Sequence, residues 1–209
     1  MATLEIETPH GPAHVHMRHA GDARAALVLG HGAGGGVASR DLVTTADVAI
    51  AEGVTVALVE QPYRVAGRRS PAPARQLDAA WTTVVGHLAA GEIEGLPLVV
   101  GGRSLGARVA CRTARDTGAT AVLCLAFPLQ PPRRSGGAPT ESRLGELDEV
   151  TVPLLVVQGE RDRFGVPPET RLRTVIRVPG DHSLRTDLDA VADTVRTWLP
   201  GVLAPFRRA

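Results

Sequence analysis

Short apolar runs alternate with helix-like stretches along most of this 209-residue chain. This alternation is typical of a parallel sheet, because neighbouring parallel strands need a crossover segment between them. Before these runs, the segments LEIET and AHVHM alternate apolar and polar residues and flank a His-Gly-Pro turn, which predicts an antiparallel hairpin. We therefore expect an α/β fold with a mostly parallel central sheet, an N-terminal antiparallel hairpin and helices on both faces. The strand-like runs are AALVLG, VTVALVE, LPLVVGG, TAVLCLAF, PLLVVQG and TVIRVP.

Three stretches are predicted to form the main helices. Residues 41–52 end at Gly53, which suits the left-handed conformation that often follows a helix. A final amphipathic helix starts near Leu188 and is expected to end near Pro200. The long irregular connection 128–150 is too short for an independent lid, so we expect a minimal or absent cap. The remaining helix has an apolar stripe made of Leu77, Ala80, Trp81, Val84, Val85 and Leu88.

Length, composition and charge predict one globular domain over residues 1–209. The 22% of charged residues are interspersed and sum to a formal net charge of +1, so no basic stripe indicates nucleic-acid binding. The N-terminus lacks the pattern of a secretory leader and no apolar run is long enough to cross a membrane, which predicts a cytoplasmic protein without membrane association. Cys111 and Cys124 are expected to be buried, reduced thiols.

One segment, Gly102-Arg103-Ser104-Leu105-Gly106, matches the pattern G-x-S-x-G between a predicted strand and a predicted helix. The two glycines leave space for a sharp turn that exposes the serine hydroxyl at the end of the strand. The turn also directs the Leu105 amide and the positive end of the helix toward the same place. Ser104 is therefore a candidate nucleophile, although a serine here can also simply cap the helix.

A second segment, LGHGAGGG, follows the strand AALVLG and offers backbone amides without bulky side chains. Acyl transfer needs such donors, because negative charge develops on the carbonyl oxygen in the tetrahedral intermediate. We predict that the amide of Ala33, followed by that of Gly34, stabilises this oxyanion together with the amide of Leu105.

The same segment has an alternative interpretation as a dinucleotide fingerprint. Gly30, Gly32 and Gly35 fit the pattern G-x-G-x-x-G, and Glu60 ends the next strand where a ribose-binding acid would lie. Against this interpretation, a hairpin precedes the strand, and His31 introduces a bulky side chain where a pyrophosphate would have to approach.

Candidates for the acid and the base follow two later strands. Asp162 comes after PLLVVQG, and His182 comes after TVIRVP. The ends of parallel strands meet at one edge of the sheet, so these residues are expected near Ser104 in the chain order nucleophile, acid, base. Glu160 and Asp181 are competing acids, but Asp181 is adjacent to His182 and poorly placed to reach the far imidazole nitrogen.

Taken together, LVLGHGAGGG, GGRSLGAR, QGERDRFG and GDHSL resemble the α/β-hydrolase superfamily across essentially the whole chain. More narrowly, the chain is similar to a small, nearly capless branch related to dienelactone hydrolases and to the hydrolase-like domain of a histone-acetyltransferase regulatory complex subunit. The resemblance implies an α/β-hydrolase fold with Ser104, Asp162 and His182 as a catalytic triad. Dienelactone hydrolases proper use a cysteine nucleophile, so Ser104 argues against that particular activity.

Three further residues are candidates for substrate binding. Arg103 lies within the G-x-S-x-G segment, and Tyr63 and Arg64 follow the strand VTVALVE. They could line an acyl pocket or bind a carboxylate. Equally, they could be residues that hold neighbouring loops together.

His14, His16 and His19 raise the possibility of a metal site, because the first two share a strand face. No cysteine or carboxylate lies at ligand spacing from them, so a solvated edge strand is the favoured interpretation. No metal and no cofactor are expected.

The function predicted from the sequence is that of a serine hydrolase acting on an ester, thioester or activated amide of a small-molecule acyl substrate. His182 would accept the proton of Ser104, and Asp162 would orient the imidazole. One alternative is a non-catalytic interaction module on the same scaffold, since a fold does not fix a function. The other is the nucleotide-binding domain.

Overall fold

The computed structural model describes residues 2–131 and 141–206, which form an eight-stranded sheet in the order β1-β2-β4-β3-β5-β6-β7-β8. The strands are β1 Ala2–Thr8, β2 Gly11–Arg18, β3 Ala25–Gly30, β4 Val54–Glu60, β5 Leu98–Arg103, β6 Ala121–Leu125, β7 Leu154–Gly159 and β8 Arg173–Val178. The helices are α1 Arg40–Ala51, α2 Pro62–Val65, α3 Ala74–Ala89, α4 Leu105–Thr113, α5 Leu144–Asp148 and α6 Leu188–Leu203.

The predicted hairpin and parallel sheet are both confirmed. Strand β2 pairs antiparallel with β1 and with β4, whereas the pairs from β4 through β3 to β8 are all parallel. The parallel strands consist of near-continuous apolar residues because both faces of this part of the sheet are covered. Their carboxyl ends therefore lie along one edge, where the loops after β3, β5, β7 and β8 meet.

Helices pack on both faces of the sheet, as predicted. Helices α1 and α6 bury their apolar residues against one face, and α3 and α4 cover the other. All six residues of the predicted stripe on α3 are buried, including Trp81, whose side chain has no exposed surface. Apart from Trp81, Phe127 and Met17, the largest fully buried side chains are all leucines, in keeping with an aromatic content of only 3%.

Two predictions about chain segments need correction. Helix α6 does not end near Pro200 but continues to Leu203. Leu199 and Leu203 are one turn apart and both buried, and burying two leucines offsets the roughly 3 kcal/mol cost of a proline inside a helix. The connection 128–150 is not wholly irregular, because it contains α5; its residues 132–140 lie outside the described part of the chain.

No separate cap is formed over the strand ends by the residues that the structure describes, which agrees with the expected minimal or absent cap. Within the same residues, the structure contains no helix with both the length and the apolar character needed to span a membrane.

Candidate active site

Ser104 occupies a strained turn between β5 and α4. Its backbone has φ +52° and ψ −102°, a region that residues with a side chain rarely adopt. The turn is fixed from both sides: the Ser104 N–H donates to the Leu125 carbonyl at 2.9 Å, and the Ser104 carbonyl accepts from the Arg108 N–H at 3.2 Å. The hydroxyl is consequently presented at the carboxyl edge of the sheet and does not cap α4.

The two glycines of the G-x-S-x-G segment are required by a close approach of backbones. A Cβ atom at Gly106 would lie 2.2 Å from the carbonyl oxygen of Gly30, and one at Gly102 would lie 2.4 Å from the same oxygen. Both separations are far below van der Waals contact. The start of α4 can therefore pack directly on β3 only because these positions lack side chains.

The loops after β7 and β8 bring an acid and a base to Ser104. His182 Nε2 lies 3.0 Å from Ser104 Oγ, and His182 Nδ1 lies 2.7 Å from Asp162 Oδ2. The carboxylate can only accept, so Nδ1 carries the proton and Nε2 is free to accept one from the hydroxyl. This arrangement can remove the hydroxyl proton as the oxygen attacks an electrophile, while the carboxylate stabilises the imidazolium that forms.

Asp162 is held by its own loop. Its side chain is fully buried, Oδ1 accepts from the Phe164 N–H at 2.9 Å, and Oδ2 accepts from Gln158 Nε2 at 2.7 Å. The Gln158 amide nitrogen also lies within hydrogen-bond distance of the carbonyls of Phe127 and Gly165, at 3.1 and 2.9 Å. Because all three neighbours are acceptors, the orientation of the Gln158 amide is fixed. The carboxylate therefore keeps one position relative to the imidazole.

The competing acids do not contact the imidazole. Asp181 is exposed and its Oδ1 accepts from the hydroxyl and the N–H of Ser183, which lowers the pKa of the Asp181 carboxyl. Glu160 is exposed at the end of β7. The ring of Phe164 instead packs edge-on against the His182 ring, with 4.5 Å between centroids, and this limits rotation of the imidazole.

The glycine-rich loop after β3 is held in place by residues that follow β4. The Gln61 N–H donates to His31 Nε2 at 3.2 Å, so the proton of this buried ring is on Nδ1, which donates to the Gly32 carbonyl at 2.8 Å. The Tyr63 hydroxyl donates to the Ala33 carbonyl at 3.3 Å, and burial raises the pKa of Tyr63 to about 12, so it remains a donor. With the carbonyls of Gly32 and Ala33 fixed, the peptide groups that carry the amides of Ala33 and Gly34 keep one orientation at the wall of the cleft that contains Ser104.

The hydrogen bonds of His31 predict an acid-sensitive fold. Burial lowers the pKa of His31, whereas the unfolded chain binds a proton there with an ordinary pKa of about 6.5. As the pH falls below about 6.5, the unfolded state takes up a proton that the folded state does not, so the free energy of unfolding decreases. We expect denaturant titrations of His31→Asn between pH 7.5 and 5 to show a shallower pH dependence than the wild type. His87→Asn, at an exposed position of α3, serves as the control; an equal slope in both variants contradicts the role of His31.

Arg103 connects the loop that carries His182 to Asp41 at the start of α1. Its Nε lies 2.9 Å from Oδ2 of Asp41, a buried residue in the first turn of α1, and its Nη2 donates to the backbone carbonyl of His182 at 3.0 Å. Because Arg103 directly precedes Ser104, the residue next to the candidate nucleophile supports the loop of the candidate base.

The cleft at Ser104 has a volume of about 330 Å³. Of the residues predicted from the sequence, Ala33, Gly34, Arg103, Ser104, Leu105 and His182 line it. Asp162 lies behind His182. Tyr63 and Arg64 are not among the lining residues: Tyr63 is buried beneath the glycine-rich loop, and Arg64 lies on α2. The remaining lining residues, which the sequence analysis did not single out, are Arg108, Pro128, Arg143, Arg163 and Phe164.

The other two interpretations of sequence motifs gain no support from the structure. Helix α1 begins at Arg40, whereas a dinucleotide fingerprint requires the third glycine, here Gly35, to open the helix. His14 and His16 lie on β2, where His14 pairs with Glu5 and His16 contacts Thr3. In residues 2–131 and 141–206, no three His, Cys, Asp or Glu side chains are grouped so that they could hold a metal ion.

The fold agrees with a comparison of sequence families. A family model described as an alpha/beta hydrolase domain matches residues 23–192, which include the glycine-rich loop, Ser104, Asp162 and His182. The chain belongs to the alpha/beta hydrolase family. No curated protein matches the sequence of this alpha/beta hydrolase.

Solved structures show the same fold at low sequence identity. Est1E from Butyrivibrio proteoclasticus is 15% identical with a TM-score of 0.77, and the match covers 98% of this alpha/beta hydrolase and all of Est1E. XC6422 from Xanthomonas campestris, described as an α/β serine hydrolase without a lid, is 19% identical with a TM-score of 0.73, covering 100% and 95% of the two chains. A dienelactone hydrolase from Anabaena variabilis is 15% identical with a TM-score of 0.74, covering 96% of each. The predicted resemblance to a lidless α/β hydrolase is thus confirmed.

Proposed function

We propose that this protein is a serine hydrolase that cleaves an ester, thioester or activated amide through an acyl-enzyme intermediate. The observation that carries the proposal is the continuous line of hydrogen bonds from Ser104 Oγ to His182 and on to the buried Asp162. A scaffold that only binds partners has no need for a strained serine aligned with an oriented imidazole.

In the acylation step, Ser104 Oγ attacks the carbonyl carbon of the substrate while His182 Nε2 takes the hydroxyl proton. The tetrahedral intermediate collapses, the bond to the leaving group breaks, and His182 returns the proton to that group. Water then attacks the acyl-enzyme with His182 as the base, which releases the acid and restores the Ser104 hydroxyl. Asp162 keeps the proton on Nδ1 throughout and stabilises the imidazolium in both steps.

The oxyanion formed in each step is assigned to the backbone amides of Leu105 and Ala33, with Gly34 adjacent. Within the described residues, none of these three amides donates to another group of the protein. Leu105 also begins α4, whose positive end faces the cleft. Preorganised donors of this kind contribute about 2.7 to 4 kcal/mol each to stabilising the transition state.

A fluorophosphonate probe tests the proposal directly, because it phosphonylates only a serine whose hydroxyl is activated. We expect labelling of the wild type and none of Ser104→Ala, with the modified peptide identified by mass spectrometry. Ser183→Ala, which changes a half-buried serine next to His182, is the matched control and is expected to retain labelling. Absence of labelling in folded wild-type protein refutes the hydrolase and favours the interaction module.

A further inference from the structure

The cleft at Ser104 is lined by several positively charged side chains. Arg103, Arg108, Arg143 and Arg163 all line it, and no aspartate or glutamate is among the described residues that line it. A small cleft with several guanidinium groups attracts anions, because arginine presents donors that match carboxylate and phosphate oxygens.

Two of these arginines are neutralised by carboxylates outside the cleft. Arg103 pairs with the buried Asp41 at 2.9 Å. Arg108 donates to both carboxylate oxygens of Glu146, at 2.9 and 2.5 Å. Glu146 also accepts from Arg112 at 3.2 Å, so its charge is already shared between two arginines. These pairs hold α1, α4 and α5 in place and leave little charge for a ligand.

Arg143 and Arg163 have no such partner. Neither forms an ion pair with a carboxylate within residues 2–131 and 141–206, and the residues outside these ranges include no aspartate or glutamate in their sequence. Burial, together with the neighbouring Arg108, lowers the pKa of the Arg143 guanidinium. Among the described residues, Glu146 offsets part of the Arg143 charge, but this carboxylate already pairs with Arg108 and Arg112. The described lining of the cleft therefore keeps a net positive charge on this side.

Both guanidinium groups are also held in place by uncharged contacts. Arg143 Nη1 donates to the Pro128 carbonyl at 2.9 Å, and its other guanidinium N–H groups have no acceptor among residues 2–131 and 141–206. The Arg163 guanidinium lies 4.8 Å from the centre of the Phe164 ring, and the same ring packs against His182. A cation fixed beside the candidate base in this way differs from a freely moving surface arginine.

We infer that the substrate is an acyl compound carrying a negative charge, a carboxylate or phosphate, close to the scissile carbonyl, and that Arg143 and Arg163 bind this charge. The inference rests on the proposed function and names the substrate class for the same site. The anion can belong to the acyl half or to the leaving group, and the two are separable by experiment.

The experiment compares two matched pairs of esters. In the first pair, mono-p-nitrophenyl glutarate carries a carboxylate on its acyl half and p-nitrophenyl valerate is the neutral counterpart. In the second pair, the valerate ester of 4-hydroxybenzoate carries a carboxylate on its leaving group and phenyl valerate is the neutral counterpart. In one pair we expect wild-type kcat/KM to favour the charged ester. Arg143→Gln and Arg163→Gln should each lower the charged-to-neutral ratio about tenfold, mainly through KM, because a charge-assisted hydrogen bond is lost.

The control variant is Arg161→Gln, which removes the same charge from an exposed position of the same loop and should leave both ratios as in the wild type. The preference for the charged ester should also weaken with added salt, since the cleft is open to solvent. Arg163 is exposed, so its substitution is not expected to prevent folding. Suppose that neutral esters are cleaved and that this cleavage requires Ser104. If the wild type then prefers the charged ester in neither pair, or if Arg143→Gln and Arg163→Gln leave that preference unchanged, the inference is overturned and the proposed hydrolase function stands.

Binding measured without turnover separates the inference from the failure of the hydrolase itself. Calorimetric titration of Ser104→Ala with the four esters is expected to show tighter binding of the charged member of one pair, and adding Arg163→Gln should weaken that binding about tenfold. Equal affinity for charged and neutral esters overturns the inference, whether or not the wild type cleaves any of them.

Discussion

Replacing Asp162 with asparagine should lower kcat by about four orders of magnitude without unfolding the protein. Within the part of the chain that the structure describes, the Phe164 N–H has no other acceptor, so the asparagine oxygen takes the place of Oδ1 and its NH2 group takes the place of Oδ2. The Gln158 amide loses its acceptor at Oδ2 but keeps the carbonyls of Phe127 and Gly165 for its two hydrogens. The asparagine NH2 group then faces His182 Nδ1 and favours the tautomer with the proton on Nε2. A protonated Nε2 cannot accept the proton of Ser104, so acylation is blocked although all three side chains remain in position.

The matched control is Asp181→Asn, which makes the same chemical change at the neighbouring exposed acid. Asp181 bonds to Ser183 and not to the imidazole, so turnover of p-nitrophenyl esters should stay within a few-fold of the wild type. Steady-state kinetics together with thermal denaturation of each variant check the prediction. A loss of activity in Asp181→Asn comparable to that in Asp162→Asn would show that the wrong carboxylate has been assigned.

Replacing Gly106 with alanine should lower the free energy of unfolding by about 3 kcal/mol, near the upper end of the usual cost of overpacking. The new Cβ would lie 2.2 Å from the Gly30 oxygen and 2.4 Å from the Gly30 carbonyl carbon. Neither atom can move easily, since β3 is paired with strands on both sides. The clash can be relieved only by lifting α4 away from the sheet, which also displaces Ser104.

Gly86→Ala is the matched control for this prediction. Gly86 lies in α3, and a Cβ added there would meet no neighbouring atom within 4 Å, so alanine should raise the free energy of unfolding by about 0.5 to 1 kcal/mol. Denaturant titrations of both variants provide the measurement. Equal stability of Gly106→Ala and the wild type would mean that the contact between α4 and β3 is looser than described.

The parallel sheet and the meeting of Ser104 with His182 could be predicted because they follow from local patterns. Continuous apolar runs are typical of strands buried on both faces, and parallel strands direct their carboxyl ends to one edge. Residues 78 positions apart are therefore brought to a 3.0 Å contact by topology alone. The residue at which α1 begins could not be predicted as well. The glycine-rich loop after β3 is compatible both with an oxyanion loop and with a phosphate-binding loop until the start of α1 is known.

The partners of individual side chains could not be predicted in the same way. Gln158 lies in β7 and donates a hydrogen bond to the carboxylate of Asp162, four residues later. This contact depends on the shape of the intervening turn, which the sequence does not specify. Arg143 lacks the ion pair that Arg108 forms with Glu146, and this difference depends on how α5 packs against α4. From the sequence, Tyr63 could equally line the acyl pocket or hold neighbouring loops together; its ring is buried and its hydroxyl supports the loop that carries Ala33.

The hydrogen bond from Arg103 to the His182 carbonyl limits which parts of this protein can change in sequence without moving the candidate site. Ser104 and His182 share one support, because Arg103 adjoins Ser104 in the chain and donates a hydrogen bond to the main-chain carbonyl of His182. Segments that lie outside this support and outside the ion pairs of α4 can be exchanged or lengthened without changing the separation of the two reacting atoms. Selectivity in this protein can therefore be re-engineered independently of its reactivity.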